Sequence, residues 1–238
     1  LIGCSVGALN GAFLAGGLRP DRVDELESVW TRLSSRDVFA LRSRRTVANL
    51  VAGRDHLCSL DGVRSLISRF CPVADLAELP VELHVVTTNL DTGRPAWWTA
   101  GAPGDVLAAS AALPGIFPPV DIDGNRHVDG GVLMPVPAVR AFDLGIGRIY
   151  VSDIATRTRP NLPERLGPLG VLLEAFNVAR YSLAPDPVPP PGVEVTVLPS
   201  PGLDGRSMFD FSRTQDLVDQ AYHATCQALG RLEVAAAG

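Results

Sequence analysis

The chain has 238 residues and a net charge of −5, and 46% of its residues are hydrophobic while 20% are charged. This composition is typical of a globular protein and excludes a disordered, collagen-like or coiled-coil chain. All 21 basic residues are arginines scattered among the acidic residues, which argues against nucleic acid as a partner. The length suits one α/β domain that buries a single core, so we predict a single domain over residues 1–238.

The cysteines are far apart in sequence and form no C-x-x-C pair and no Cys/His cluster with zinc-ligand spacing. They are Cys4, Cys58, Cys71 and Cys226. This pattern favours a reducing compartment over a disulfide framework, and we expect no metal. The apolar opening stretch, residues 1–18, is rich in glycine and too short to span a bilayer. We therefore predict a cytoplasmic protein without a transmembrane helix.

Apolar periodicity and turn residues predict helices that alternate with strands along the chain. The helices are predicted at residues 7–16, 21–33, 61–70, 104–112 and 169–183, with a long terminal helix after the capping box at 212–215. The strands are predicted at 81–88, in a hairpin over 120–129, at 147–153 and at 193–198. Irregular segments are predicted at 34–57, 155–168 and 184–192. This order predicts an α/β fold with a mostly parallel central sheet and helices on both faces.

Residues 3–7, with the sequence GCSVG, match the G-x-S-x-G pattern of a nucleophile at a strand-to-helix turn. Gly3 and Gly7 permit a tight turn that leaves the Ser5 hydroxyl exposed at the helix N-terminus. The amide of Val6 and the positive helix end would then face the oxyanion formed when Ser5 attacks an ester carbonyl. Taken alone, the pattern is equally compatible with a plain turn that opens a helix.

Residues 109–131, ASAALPGIFPPVDIDGNRHVDGG, add two further patterns. They contain an A-S-x-A-x-P-x-x-F-P-P-V segment followed by D-G-G, and with the upstream G-x-S-x-G the chain resembles the patatin-like phospholipase family. The segments TTNLDTGRPAWWTAG and FDFSRTQDLVDQAY also look like family segments. The resemblance therefore runs from residue 1 to about residue 230, and it implies a three-layer α/β architecture.

The resemblance implies that Ser5 is the nucleophile and Asp129 the general base, with Gly130 and Gly131 shaping the loop that presents the carboxylate. The implied reaction is hydrolysis of a phospholipid, lysophospholipid or neutral lipid ester through an acyl-serine intermediate, without metal or cofactor. Peripheral contact with a membrane is expected with such a substrate. A carboxylate can accept a serine proton directly at about 2.6 to 3.2 Å. Asp-Gly is also common in turns, so a plain turn is the alternative for Asp129.

An ordinary α/β-hydrolase triad is a rival interpretation, since Ser5, Asp129 and His223 occur in the required chain order. His223 argues against it because it lies within the predicted terminal helix, one turn after Asp219, where a solvated residue is expected. His127 is two positions before Asp129 on the predicted hairpin and faces the same way. A local supporting role for His127 is therefore conceivable.

The chain departs from the family at its start. The family's Gly-rich loop after the first strand, which supplies further oxyanion amides, has no counterpart before Gly3, since the chain opens with Leu1-Ile2. We expect a fragment that hydrolyses esters weakly or not at all as it stands. The alternative is a catalytically inactive patatin-fold module that binds lipid or has a regulatory role.

Overall fold

The computed structural model describes residues 1–39, 55–154, 168–183, 188–201 and 210–236. The chain forms two compact units, Leu1–Pro137 with Ser182–Ala184, and Ala138–Tyr181 with Pro185–Gly238. A single domain over residues 1–238 stays a prediction.

The first unit contains a five-stranded sheet and the helices that pack on it. Its strands are β1 (Ile2–Cys4), β2 (His84–Asn89), β3 (Arg94–Trp98), β4 (Val120–Ile122) and β5 (Asn125–Asp129). Its helices are α1 (Val6–Ala15), α2 (Pro20–Arg32), α3 (Ser35–Phe39), α4 (Asp61–Phe70) and α5 (Pro103–Ser110). The helix α3 lies where an irregular segment was expected, and residues 40–54 of that segment lie outside the described residues.

The second unit contains a two-stranded parallel sheet and the other three α-helices of the described residues, one of which ends in the Ser182–Ala184 segment of the first unit. Its elements are α6 (Val139–Asp143), β6 (Arg148–Ser152), α7 (Pro168–Leu183), β7 (Glu194–Leu198) and α8 (Thr214–Ala236). Both strands and the two long helices agree with the sequence, whereas the short helix α6 was not predicted. The irregular segments expected at 155–168 and 184–192 lie outside the described residues over 155–167 and 184–187.

The larger sheet is mixed, which corrects the expectation of a mostly parallel one. Strand β1 pairs with β2 in parallel, whereas the β2–β3, β2–β5 and β4–β5 pairs are antiparallel. Two of these antiparallel pairs are hairpins, β2–β3 with a turn closed by Gly93 and β4–β5 with a turn at Asp123–Gly124. The third pair, β2–β5, joins the two hairpins. Asp123 and Gly124 have φ of 53° and 77°, as a two-residue hairpin turn requires. The predicted α/β class is confirmed, and the sheet with its helices is consistent with three layers.

Strand β3 was absent from the predicted elements because Pro95 lies within it. Proline cannot donate a ladder hydrogen bond and is confined to edge strands and strand ends. Among the described residues β3 pairs with β2 alone, so Pro95 lies on an edge strand.

The core of the first unit lies between β2 and the two helices α1 and α5. Val85 and Val86 on β2 are fully buried, as is Ala8 on α1, and Leu107 on α5 is 1% exposed. The buried run of β2 agrees with its predicted apolar, β-branched sequence. This packing brings the start of α1 and the end of α5 to the middle of β2.

Candidate active site

Two strands meet end to end on one edge of β2. Because β3 pairs along Val85–Asn89, it occupies one edge of β2, and both β1 and β5 must share the other. The parallel strand β1 ends with Cys4 opposite Val86, and the antiparallel strand β5 ends with Asp129 opposite Thr87. The carboxyl ends of β1 and β5 therefore face each other at adjacent positions of β2.

Residues 3–7, which we call the elbow, form the tight strand-to-helix turn that the sequence predicts. Ser5 has φ 54° and ψ −127°, a backbone conformation that non-glycine residues rarely adopt, and α1 begins at the next residue. Such a conformation costs about 1 to 3 kcal/mol and persists only where the surroundings hold it. A Cβ atom on Gly3 would lie 2.5 Å from Ala8 Cα, so only glycine allows α1 to return this close to β1.

The elbow places the Ser5 hydroxyl on a buried carboxylate. Ser5 Oγ donates a 2.6 Å hydrogen bond to Asp129 Oδ2, and Asp129 is fully buried while Ser5 is half-buried. The other carboxylate oxygen, Oδ1, accepts the Gly131 N–H at 2.7 Å and lies 3.8 Å from Cys4 Sγ. The structure thus brings together two of the residues singled out in the sequence, although they lie 124 positions apart.

Asp129 is also fixed through its backbone. Its N–H donates to Ala112 O at 3.0 Å, and its carbonyl oxygen accepts the Thr88 hydroxyl at 3.0 Å. A Cβ atom on Gly130 would lie 2.3 Å from Val86 O, so the loop after Asp129 packs directly on the backbone of β2. The conformation of the Asp-Gly-Gly segment is therefore set by β2 and by the residues after α5.

A buried polar network lies beside Asp129 on the same sheet. His127 is 2% exposed, its Nδ1 lies 2.9 Å from Thr87 Oγ1, and the same oxygen accepts the Trp98 indole N–H at 2.9 Å. Burial lowers the pKa of His127, although nearby carboxylates act in the opposite direction. Burial therefore favours the neutral form of the ring, which supports the sheet next to Asp129 through its contact with Thr87.

Ser110, the serine of the A-S-x-A-x-P-x-x-F-P-P-V segment, is a contact of the elbow for which the sequence predicted no role. Its hydroxyl accepts the Ser5 N–H at 3.0 Å and donates to Val86 O at 2.8 Å, and the residue is fully buried. The available signal was its place in that segment, which does not indicate which groups the hydroxyl contacts.

The first turn of α1 begins directly after Ser5. Ala8 N and Leu9 N donate to Ser5 O, whereas Val6 N belongs to the first turn, whose amides have no acceptor within a helix. A helix N-terminus favours negative charge. The oxyanion role of the Val6 amide stays a prediction.

His223, the third member of the rival triad, lies on α8. Its ring is exposed, and its Nδ1 lies 2.7 Å from the carbonyl oxygen of Asp219, one turn earlier on the same helix. This local partner agrees with the solvated helix residue expected from the sequence.

Replacing His223 by alanine is expected to change the rate of ester hydrolysis by less than about threefold, because an exposed helix residue contributes little. The measurement is kcat/KM for a short-chain ester, with the unfolding midpoint as a control for folding. A loss of several orders of magnitude in a folded protein would instead favour the Ser, acid and His triad.

Within the described residues, no group of three or more His, Cys, Asp or Glu side chains is arranged to hold a metal ion. No helix in this part of the chain is both long enough and apolar enough to cross a membrane.

Comparisons with known proteins agree with the resemblance. The family model described as patatin-like phospholipase matches residues 1–142. An uncharacterized NTE family protein of Mycobacterium tuberculosis is 31% identical over 137 residues, which is 58% of this chain and 35% of that protein. Lysophospholipase NTE1 of Pyricularia oryzae is 25% identical over 201 residues, which is 81% of this chain and 12% of that protein.

The chain thus spans little more than a third of the mycobacterial relative and a smaller share of the fungal one. The family model nevertheless covers more than half of the chain, including both Ser5 and Asp129. The chain belongs to the patatin-like phospholipase family.

Proposed function

We propose that the protein is a serine lipid acyl hydrolase that cleaves a carboxylic ester through an acyl-Ser5 intermediate. The observation that carries the proposal is the 2.6 Å hydrogen bond from Ser5 Oγ to Asp129 Oδ2 in a member of this family. The substrate class is the ester of a phospholipid, lysophospholipid or neutral lipid. The family supports a lipid ester, and the fungal relatives named lysophospholipase favour a single-chain phospholipid.

In the acylation step, Ser5 Oγ forms a bond to the ester carbonyl carbon while its proton passes to Asp129 Oδ2. The carbonyl electron pair moves onto oxygen, and this oxyanion meets the Val6 amide and the N-terminal end of α1. When the carbonyl re-forms, the bond to the alcohol breaks and Asp129 returns the proton to the leaving oxygen. The products are the free alcohol and an acyl-Ser5 ester.

In the deacylation step, water attacks the acyl-Ser5 carbonyl carbon and gives its proton to Asp129 Oδ2. Collapse of the second oxyanion breaks the bond to Ser5 Oγ, which takes the proton back from Asp129. Because Gly131 N–H holds Oδ1, the other oxygen stays directed at Ser5 through both steps.

An alkyl fluorophosphonate is expected to label Ser5 covalently, because its phosphonyl group mimics the tetrahedral adduct as fluoride leaves. Mass spectrometry of a digest would locate the label, and the Ser5→Ala variant, which lacks the hydroxyl, is the matched control. The labelled protein should lose hydrolysis of lysophosphatidylcholine in parallel, and EDTA should change neither rate, since the proposed steps use only side chains and amides.

Labelling at another serine, or lysophospholipid hydrolysis that survives in Ser5→Ala, would contradict the proposal. Binding to phosphatidylcholine vesicles without labelling or hydrolysis would favour the alternative of a non-catalytic lipid-binding module. The cytoplasmic location, the membrane contact and the absence of a nucleic-acid partner stay predictions.

A further inference from the structure

The positive φ of Ser5 is an unfavourable backbone conformation that surrounding contacts must maintain. On the C-terminal side of Ser5, its carbonyl oxygen accepts the Ala8 and Leu9 amides and so belongs to α1. On the N-terminal side, its own N–H donates to Ser110 Oγ. A strained backbone persists only where such contacts over-determine it, so the Ser110 bond is one of the contacts that restrain the elbow.

The direction of the hydrogen bonds at Ser110 follows from the chemistry of a hydroxyl. A serine has one hydrogen to donate, and Ser110 directs it to Val86 O at 2.8 Å. An oxygen lone pair is then left to accept the Ser5 N–H at 3.0 Å. Both partners are backbone groups, so the hydroxyl links the elbow to β2 without depending on another mobile side chain.

The environment of Ser110 explains why both bonds matter. Its neighbours Leu107, Ala108 and Ala109 on α5 are buried, and Ser110 itself is fully buried. A hydroxyl in such surroundings costs free energy unless it is hydrogen-bonded. If the hydroxyl is removed, the Ser5 amide and the Val86 carbonyl each lose a partner.

Val86 O connects this link to the other half of the site. The loop that carries Asp129 packs on the same carbonyl, because a Cβ atom on Gly130 would lie only 2.3 Å from it. Ser110 thus links the Ser5 amide to Val86 O, and the loop after Asp129 packs on the same oxygen. Contacts with Val86 O therefore help to set the positions of both Ser5 and Asp129.

We propose that Ser110 is a positioning residue, which holds the Ser5 backbone at positive φ and thereby directs Oγ at Asp129. The inference rests on the proposed function, since it assigns Ser110 a part in aiming the nucleophile. It touches neither the ester nor the transferred proton. Its effect on turnover is therefore exerted through the geometry of Ser5.

Ser110→Ala tests the role with two measurements. Loss of the link is expected to lower kcat for a short-chain ester by about 10- to 100-fold, the size of effect that a shift near 1 Å causes, with KM changed by less than about twofold. Exchange of the Ser5 amide hydrogen with solvent should become faster in the same variant, because its acceptor is gone.

Two other variants separate positioning from stability. Leu76→Val, which trims a buried side chain elsewhere in the first unit, should lower the unfolding midpoint and leave kcat unchanged. Ser110→Cys, which keeps a weak donor and acceptor, should give a kcat between those of the wild type and Ser110→Ala. This second variant also allows the test if Ser110→Ala fails to fold.

An unchanged kcat in folded Ser110→Ala, or a kcat that falls equally in Leu76→Val, would overturn the positioning role. Unchanged exchange of the Ser5 amide would overturn the link itself. If the wild-type protein neither hydrolyses an ester nor is labelled at Ser5 by the fluorophosphonate, the proposed function fails, and the amide exchange alone decides whether Ser110 holds the elbow.

Discussion

Ser5→Ala and Asp129→Asn are each expected to lower kcat/KM for a lysophospholipid or short-chain ester by about 10⁴-fold or more while the protein stays folded. Alanine removes the atom that forms the acyl bond. Asparagine has nearly the volume of aspartate and can still accept the Gly131 N–H, but it cannot take the proton from Ser5 Oγ. The double variant should be hardly worse than either single one, because the two residues act as one unit.

The matched control is Asp121→Asn on β4. Asp121 is an exposed aspartate whose carboxylate also accepts a backbone amide, that of Gly124 in the hairpin turn. Its replacement should leave kcat/KM within about twofold, since it touches neither Ser5 nor the substrate in the proposed steps. Substantial turnover in Asp129→Asn, or a comparable loss in Asp121→Asn, would remove Asp129 from the role of general base.

Gly3→Ala is expected to destabilise the protein by about 3 kcal/mol or more, or to prevent folding. The added Cβ would lie 2.5 Å from Ala8 Cα, 2.7 Å from Ala8 N and 2.7 Å from Gly7 O. All three are backbone atoms of the first turn of α1, so no side-chain rotation relieves the clash. The helix would have to move away from β1, and Ser5 would move with it.

Gly7→Ala in the same elbow is the control, because a Cβ atom there meets no other atom within 4 Å. Alanine within a helix is about 1 kcal/mol better than glycine, so this variant should be as stable as the wild type or slightly more stable. Urea unfolding midpoints of the three proteins provide the measurement. Equal destabilisation by both substitutions would show that α1 does not approach β1 as described.

Much of the fold could be predicted because it follows from local patterns. The periodicity of α2 and α8 and the buried run of β2 are properties of consecutive residues, as is the Asp123–Gly124 turn. Strand pairing joins residues that are far apart in sequence, so the mixed sheet could not be predicted from local patterns. Because proline disfavours a strand, β3 was not predicted, and neither was the antiparallel pairing of β2 with β3.

The candidate site also combines features that local sequence predicts with contacts that it does not. The motif predicted the turn at Ser5, but the contact with Asp129 could be expected only from the family resemblance, since nothing local relates residues so far apart. Ser110 belongs to the A-S-x-A-x-P-x-x-F-P-P-V segment, but the segment alone does not indicate which groups its hydroxyl contacts. Its two hydrogen bonds become visible only when α5 is packed against the elbow and Val86.

The meeting of β1 and β5 on one edge of β2 also has a consequence for how the protein folds. Strand β1 has three residues and β5 has five, so only a few ladder positions set where each strand ends. A slip of one residue in either would move its end by about 3.3 Å and turn its side chains to the other face. Ser5 and Asp129, which lie 124 positions apart, can therefore meet only after β1 and β5 have each found their register on β2. Contacts of such sequence separation are slow to form, so assembly of the pair coincides with completion of the sheet rather than preceding it.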